Sequence, residues 1–346
     1  AVNAVDPNFK LPKEWKYAIG GTYTFDEGTV VMADILYSIA KDQSIVRDIA
    51  MEQVGTLFDG RPVYASKEGS RREDFLLTNA SEDAKKLTFS TSVSKNFDFG
   101  LDLSLAYAYT ESEDANPMTS SVAYSNFTNF ARSDFNNPES ATSNYEIPHR
   151  FTFRASYNVD IVDGYTTTIS LLGSHNKGRP YSYTFEGSLA GDYSTGRQLL
   201  YVPTGVDDPN VVWGADEDGV PFDTDAFFAF VNESGLSKYS GRIAERNGFT
   251  SDWWTKVDLR VTQELPGFME GHKAKAFFVI DNLTNLLNDD WGVLYEATFP
   301  QSASVVEATV NDEGQYVFNA FTNREPQARV TTPSLWRMTL GIEYKF

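Results

Sequence analysis

The C-terminal stretch from Ser334 to Phe346 constrains the fold more than any other part of the sequence. From Trp336 onward, large apolar residues alternate strictly with polar or small ones, and the last residue is aromatic. The apolar positions are Trp336, Met338, Leu340, Ile342, Tyr344 and Phe346. Because successive side chains of a β-strand point to opposite faces, this pattern predicts a strand with one apolar and one polar face. A membrane-spanning strand and an edge strand of a soluble sandwich both fit this description.

The same alternation recurs upstream, in pairs of segments joined by tight turns. The predicted strands cover residues 13–25, 29–41, 87–97, 101–109, 151–159, 165–174, 253–264 and 273–281. Each has roughly 9–13 residues, the length that crosses a bilayer at a tilt. Between the pairs lie long segments at about 42–85, 111–147, 175–251 and 282–333, which we interpret as loops. Short turns and long loops alternate, so all the long loops emerge at one edge, unlike those of sandwiches and jelly rolls.

Composition and aromatic placement favour a membrane. No apolar run reaches the roughly 18 residues of a helical span, which excludes transmembrane helices but leaves strands. Aromatic residues form 14% of the chain and gather at both ends of the predicted strands, as the girdles of a membrane barrel do. Net charge is −19, which argues against nucleic acid as a partner. The sequence therefore predicts an all-β fold, an antiparallel transmembrane β-barrel with long extracellular loops.

The number of predicted strands suggests that the barrel is larger than this chain. Bacterial single-chain barrels close with an even number of strands, whereas the sequence predicts nine. An open sheet edge in lipid would leave backbone groups unpaired, at a cost of several kcal/mol each. We therefore expect residues 1–346 to be the C-terminal part of a larger barrel.

Several sequence blocks resemble the C-terminal half of TonB-dependent outer-membrane receptors, in particular the Oar-like branch. They are FKLPKEWKYAIGGTY from Phe9, NPMTSSVAYSNF from Asn116, ATSNYEIPHRFTF from Ala141, GRPYSYTF from Gly178, GRIAERNGF from Gly241 and VIDNLTN from Val279. The last block is similar to the penultimate-strand motif NLF[DN], with Thr284 in place of the usual Phe. The resemblance implies a barrel of about 22 strands, of which this chain supplies the last nine or so.

The resemblance also implies a function, a location and partners. The expected function is TonB-energised binding and uptake of a solute, with the extracellular loops capturing it. The expected location is the outer membrane of a Gram-negative cell. Partners would be outer-membrane lipid and lipopolysaccharide, the N-terminal barrel strands and plug of the same receptor, the TonB complex acting through that plug, and the barrel-assembly machinery. The alternatives are a structural or adhesive barrel without active transport and a passive porin.

Candidate site residues lie in the long loops and in the last strand. Residues 224–232 have the spacing of a short helix with Thr224 or Asp223 as its N-cap and Gly235 as its stop. Loop aromatics suit recognition of a peptide or sugar, and they could equally pack the loops together. The predicted ligand-binding residues are Tyr181, Tyr183, Phe185, Phe227 and Phe230. The predicted signal for the assembly machinery consists of Trp336, Leu340, Ile342, Tyr344 and Phe346.

Signatures of catalysis and metal binding are weak. GxSxG, P-loop and HExxH motifs are absent, and His149, His175 and His272 lie far apart, so we expect no enzyme and no cofactor. The chain has no cysteine, and its acidic run at 207–225 lacks EF-hand spacing, so no metal site is predicted. Charged residues of the predicted inner face could line a binding cavity or form ion pairs with a plug or a neighbouring strand. These residues are Arg150, Arg154, Lys256, Asp258 and Arg260.

Overall fold

The computed structural model describes residues 2–67, 73–193 and 196–346, and most of the chain is β-structure. Its largest element is a ten-stranded antiparallel sheet, in which nine strands follow one another in sequence order and a short tenth strand at Ala141–Thr142 pairs with one of them. We call the nine consecutive strands the wall. The wall strands are β2 (Lys13–Thr24), β3 (Thr29–Lys41), β8 (Ala84–Asn96), β9 (Leu101–Asp114), β11 (His149–Val162), β12 (Tyr165–Asn176), β18 (Trp254–Pro266), β19 (Lys273–Asp281) and β24 (Arg337–Lys345).

The nine predicted strands are confirmed, and the alternating apolar residues that the prediction rests on share one face of the sheet. Tyr17 lies opposite Tyr37 in the β2–β3 pair, and Phe278 lies opposite Leu340 in the β19–β24 pair. The register between these pairs keeps the alternating apolar residues of all nine strands on one face. This face is open to its surroundings, as the 79% exposure of Leu340 illustrates. Polar residues such as Ser104 occupy the opposite face.

The wall does not close on itself. Among the described residues, β2 pairs only with β3, and β24 pairs only with β19, so each has one free edge. The antiparallel all-β fold is thus shown, whereas closure into a barrel of about 22 strands stays a prediction. In the same described residues, no helix combines the length and apolar character needed to cross a membrane.

The long segments fold together into a second body at one edge of the wall, which we call the cap. Its strands are β1 (Val2–Val5), β4 (Ser44–Asp48), β5 (Met51–Thr56), β6 (Pro62–Ser66), β7 (Asp74–Asn79), β10 (Ala141–Thr142), β13 (Pro180–Glu186), β14 (Tyr201–Val202), β15 (Val211–Trp213), β16 (Arg242–Ile243), β17 (Phe249–Thr250), β20 (Tyr295–Ala297), β21 (Ser302–Val310), β22 (Tyr316–Phe321) and β23 (Gln327–Arg329). Its helices are α1 (Ala123–Thr128), α2 (Thr224–Glu233), a 3-10 helix (Leu236–Tyr239), α3 (Leu283–Leu287) and α4 (Thr331–Ser334).

The long segments are not irregular throughout, because they contain short strands and helices. A five-stranded sheet in the order β15, β22, β21, β13, β17 forms the centre of the cap. Its strand β13 runs parallel to β21, with Ser182 opposite Ser302. Six successive residues of β13 are buried, so the strand is covered on both faces and shows no alternation of apolar and polar residues.

An apolar core holds the cap together. Phe185, Val202, Phe227, Val305 and Phe318 are all 0% exposed within it. The predicted helix is confirmed as α2, and its N-cap is Asp223, whose carboxylate accepts a hydrogen bond from the Ala226 N–H at 2.9 Å. Gly235 follows the helix with a φ of 77°, the left-handed conformation that ends many helices. Phe227 and Val231 attach the helix to the core.

Asn282, in the VIDNLTN block, joins the wall to the cap. It is completely buried at the end of β19, with a φ of 55°. Its side-chain amide donates to the carbonyls of Gly292 at 2.9 Å and Pro333 at 3.2 Å, and its Oδ1 accepts from the Thr284 hydroxyl at 2.6 Å. Because one side chain bonds three separate positions, it fixes how the chain leaves β19 and approaches β24.

Candidate functional site

The predicted ligand-binding aromatics lie in the interior of the cap. Tyr181 is 6% exposed, Tyr183 is 2% exposed, and Phe185 and Phe227 are 0% exposed, while Phe230 is partly buried against the same core. Tyr183 and Phe230 contact each other edge to face, with ring centroids 5.4 Å apart. These five residues thus pack the loops on one another, which was the alternative interpretation of the sequence. Direct contact of any of them with a solute stays a prediction.

The cap and the upper end of β9 enclose a polar cavity of about 540 Å³, which we call the rim cavity. Three stretches of chain build most of its lining: the turn between β5 and β6, the segment at 132–142, and the segment at 243–246. Glu113 of β9 and Leu199 complete it. The cavity therefore lies at the junction of the two bodies.

Arg61 forms one side of the rim cavity and is 1% exposed. Its Nε donates to the Tyr316 hydroxyl at 2.9 Å, and its Nη2 donates to the Leu199 carbonyl at 2.6 Å. Its Nη1 donates to the Gln198 side-chain oxygen. Asp59 accepts a hydrogen bond from the same Tyr316 hydroxyl at 2.6 Å and lies 3.8 Å from Arg61 Nε. A buried charge with this many partners fixes the turn between β5 and β6 against the cap core.

Arg246 also lines the rim cavity and is 5% exposed. Its Nη2 lies 2.8 Å from both the Asp114 carboxylate and the Ala141 carbonyl, and its Nη1 donates to the Ala115 carbonyl at 3.2 Å. Burial lowers the pKa of Arg246, and the neighbouring Asp114 charge opposes that shift. Through these bonds Arg246 ties the cap to the top of β9.

Carboxylates stand around the same cavity. Glu113 accepts from the Lys85 N–H at 3.0 Å, and Glu245 accepts from the Tyr239 hydroxyl at 3.1 Å. Glu139 also lines the cavity and is exposed. The lining thus combines buried guanidinium groups with accessible carboxylates, an arrangement that suits a polar solute with hydrogen-bond donors.

The predicted charges of the inner face separate into two groups. Lys256 Nζ lies 3.1 Å from Asp258 Oδ1, and the Arg260 guanidinium lies 5.4 Å from the centre of the Phe277 ring. The first contact is an ion pair along β18 and the second is a cation–π contact between β18 and β19, so ion pairing with a plug or across strands stays a prediction for these residues. Arg150 and Arg154 are exposed on the polar face, on the inner side of the wall.

The residues of the predicted assembly signal lie along the free-edged strand β24 and beside it. Leu340, Ile342 and Phe346 are 79%, 74% and 98% exposed, and Trp336 is 46% exposed. The Tyr344 hydroxyl is 2.8 Å from His272 Nδ1 and accepts from the Phe268 N–H at 3.0 Å. These side chains are available to a partner, and recognition by the assembly machinery stays a prediction.

The acidic run at 207–225 has a structural role at one position. Asp208 is 4% exposed and accepts hydrogen bonds from the Thr204 N–H at 2.8 Å, the Asn210 N–H at 2.9 Å and the Tyr201 hydroxyl at 3.0 Å. Among the described residues, no group of three or more histidine, aspartate or glutamate side chains is placed to hold a metal ion.

Sequence reasoning missed the rim cavity, although one signal pointed to it. Arg246 lies in the block from Gly241 to Phe249, one of the blocks that carry the family resemblance. Its partners Asp114 and Ala141 are more than a hundred residues away in the chain, so the contact could not be foreseen from spacing. No protein-family model matches the chain, and no curated protein matches it significantly.

Proposed function

We propose that the chain is the C-terminal barrel portion of an outer-membrane receptor that takes up a solute with energy supplied through TonB. One observation carries this proposal: nine consecutive antiparallel strands present a continuous apolar face, while all the long connections fold into a cap at one edge. A soluble sheet buries such a face against a core, whereas a bilayer covers it with lipid. The outer membrane of a Gram-negative cell is where barrels of this kind occur.

The free edges of β2 and β24 support a larger assembly. An edge strand in lipid carries backbone N–H and C=O groups without partners, at a cost of several kcal/mol each. In the proposed receptor these edges pair with further strands of the same barrel, up to a total of about 22. A barrel of that size needs a plug, and the plug is the part that TonB contacts in the proposed mechanism.

The cap is the proposed site of solute capture. It is ordered by its own apolar core, and ordering that much chain costs roughly 1–2 kcal/mol of backbone entropy per residue. A plain pore needs only short connections, so an ordered cap with a polar cavity at its base favours a receptor. The rim cavity supplies accessible carboxylates for binding a polar solute before it enters the lumen.

A matched pair of substitutions on α2 tests this proposal. Phe227→Asp introduces a charge into the core and should unfold the cap, since losing a buried Phe side chain alone costs about 3–5 kcal/mol. Ala229→Asp adds the same residue on the exposed side of the same helix and should leave the cap intact. Whole protein purified in mild detergent from cells exposed to spent growth medium would be analysed by mass spectrometry for retained solutes.

We expect a polar solute that the wild type and Ala229→Asp retain and that Phe227→Asp loses. Uptake of that solute by cells should stop when an uncoupler removes the inner-membrane energy supply. Uptake that continues with the uncoupler would favour a passive pore. If none of the three proteins retains a solute, the structural or adhesive barrel is favoured. The burial of the cap aromatics also suits that alternative.

A further inference from the structure

A groove of about 400 Å³ crosses the apolar face of the wall close to the cap. Two neighbouring rows of cross-strand partners form its sides. The row nearer the cap contains Thr91, Tyr107, Phe151, His175 and Thr255. The row farther from the cap contains Val31, Val93, Leu105 and Phe153. Apart from His175 and the two threonines, the side chains of both rows are apolar or aromatic.

Small residues keep the groove open. Thr91 and Thr255 stand at either end of the row nearer the cap, next to the larger rings of Tyr107 and His175. In the other row, the Phe153 ring lies over Gly173, where a Cβ atom would come within 1.8 Å of it. Glycine at this position therefore lets the ring lie against the sheet instead of standing across the groove.

Nitrogen-bearing side chains gather at the cap-side end of the groove. The rings of His175 and Trp253 are stacked with centroids 4.5 Å apart, and His149 lies 6.0 Å from the same indole. Lys177 Nζ lies 5.8 Å from the Trp253 ring. Trp253 itself is 43% exposed, so the group is accessible from the apolar face. We call these four residues the nitrogen cluster.

Hydrogen bonds within the wall orient both imidazoles. His149 Nδ1 is 3.0 Å from the Tyr107 hydroxyl, and His175 Nδ1 is 2.7 Å from Thr255 Oγ1. Because each Nδ1 is engaged, each Nε2 is the nitrogen available to an outside partner. In the described part of the chain, no carboxylate lies within ion-pair distance of Lys177. A cation without a carboxylate partner is notable in a chain whose net charge is −19.

We propose that the groove seats one acyl chain of an anionic, phosphate-bearing membrane lipid, whose phosphate contacts Lys177 and the imidazoles of the nitrogen cluster. This inference rests on the proposed function, because it requires the apolar face to lie in a membrane. Both ends of such a lipid find a matching surface. The apolar groove contacts the acyl chain, and the ammonium group and ring N–H donors at its cap-side end contact the phosphate. Indole and imidazole rings also suit the boundary between head groups and acyl chains.

Native mass spectrometry of the whole protein, released from nanodiscs, would test the site. The probes are phosphatidylglycerol and phosphatidylcholine with identical acyl chains. We expect the wild type to retain one phosphatidylglycerol in preference to phosphatidylcholine. Lys177→Gln should lower the affinity for phosphatidylglycerol about tenfold, because one charge-assisted contact is lost. Thr91→Phe should abolish retention, since its ring fills the groove.

Matched controls separate this site from general lipid contact. Lys85 lies on the same face and at the same edge of the wall but outside the nitrogen cluster, so Lys85→Gln should have no effect. Ala276→Phe adds a ring to the same face on β19, far from the groove, and should also have no effect. Equal retention of the two lipids by the wild type, or equal losses in Lys177→Gln and Lys85→Gln, would overturn the inference. Membrane insertion is measured separately by fractionation, so a protein that inserts without lipid preference refutes this site and leaves the proposed function standing.

Discussion

At the scale of single residues, the cap depends on buried hydroxyl and carboxylate pairs. Burial raises the pKa of Asp208, but hydrogen bonds from Thr204 and Asn210 outweigh this effect and lower it. Burial first, and then the hydrogen bond to Asp208, raises the pKa of Tyr201 to about 12. Burial and the nearby Glu245 likewise raise the pKa of Tyr239 to about 12. The stability of the cap therefore depends on pH in the acidic range, through the carboxylate, and in the alkaline range, through the tyrosines.

The raised tyrosine pKa values predict alkaline unfolding of the cap. A tyrosine in the unfolded chain has a pKa of about 10. Because the pKa is higher in the folded cap, folding favours the neutral hydroxyl. This stabilisation is complete below pH of about 10 and disappears as the pH rises to about 12. Tyrosinate absorbance and tryptophan fluorescence, followed together, should show Tyr201 and Tyr239 ionising as the cap unfolds. Tyr201→Phe should remove one late-titrating group, and the prediction fails if the late part of the titration is the same in Tyr201→Phe and in the wild type.

At the scale of elements, the sequence predicted the wall well because each wall strand has one apolar and one polar face. The bounds of β3 and β19 agree with the prediction, and β9 extends five residues further, to Asp114, where the chain already contacts the cap. The strands of the cap could not be predicted in this way. Residues of β13 are buried on both faces, and its parallel partner β21 lies over a hundred residues away, so no local pattern marks either strand.

The lack of a local signal for burial also explains why the predicted ligand-binding aromatics turned out to lie in the cap core. Aromatic residues of the loops were selected by residue type, and type does not tell whether a ring faces solvent or a core. Phe227 is 0% exposed because α2 packs it against Phe318 and Phe321, which are contributed by β22. Only the packing of distant segments decides this, whereas the N-cap at Asp223 is local and was predictable.

The alternating faces of β9 give a stability prediction. Leu103 lies on the apolar face and is 39% exposed, while Ser104 lies on the polar face. Leu103→Arg should destabilise the membrane-inserted protein by about 2–4 kcal/mol near the bilayer midplane, because the charge must enter lipid. Ser104→Arg should cost far less. Folding titrations in lipid vesicles measure both values, and equal destabilisation would contradict the assigned faces.

At the scale of the whole molecule, the wall and the cap have different roles. The wall supplies an apolar face and two free edges, and the cap closes one end with its own core and the rim cavity. Buried Arg246 fastens the two bodies to each other at that cavity through Asp114 of β9, while buried Arg61 holds the turn between β5 and β6 on the cap core. A solute that binds there would therefore act on the cap and the wall together, which is what a receptor coupled to transport requires.

The most direct test of the account is a spin-label scan along β9 in outer membranes. Residues 1–346 contain no cysteine, so each cysteine introduced into β9 is the single labelled position of this part of the protein, and the wild type, labelled in parallel, gives the background to subtract. The account predicts that oxygen, which partitions into lipid, relaxes labels at Leu101, Leu103 and Leu105, whereas a water-soluble nickel chelate relaxes labels at Asp102 and Ser104. This period of two should continue up to the cap. Equal access of the nickel chelate to both sets would contradict a lipid-facing wall, and with it the proposed receptor.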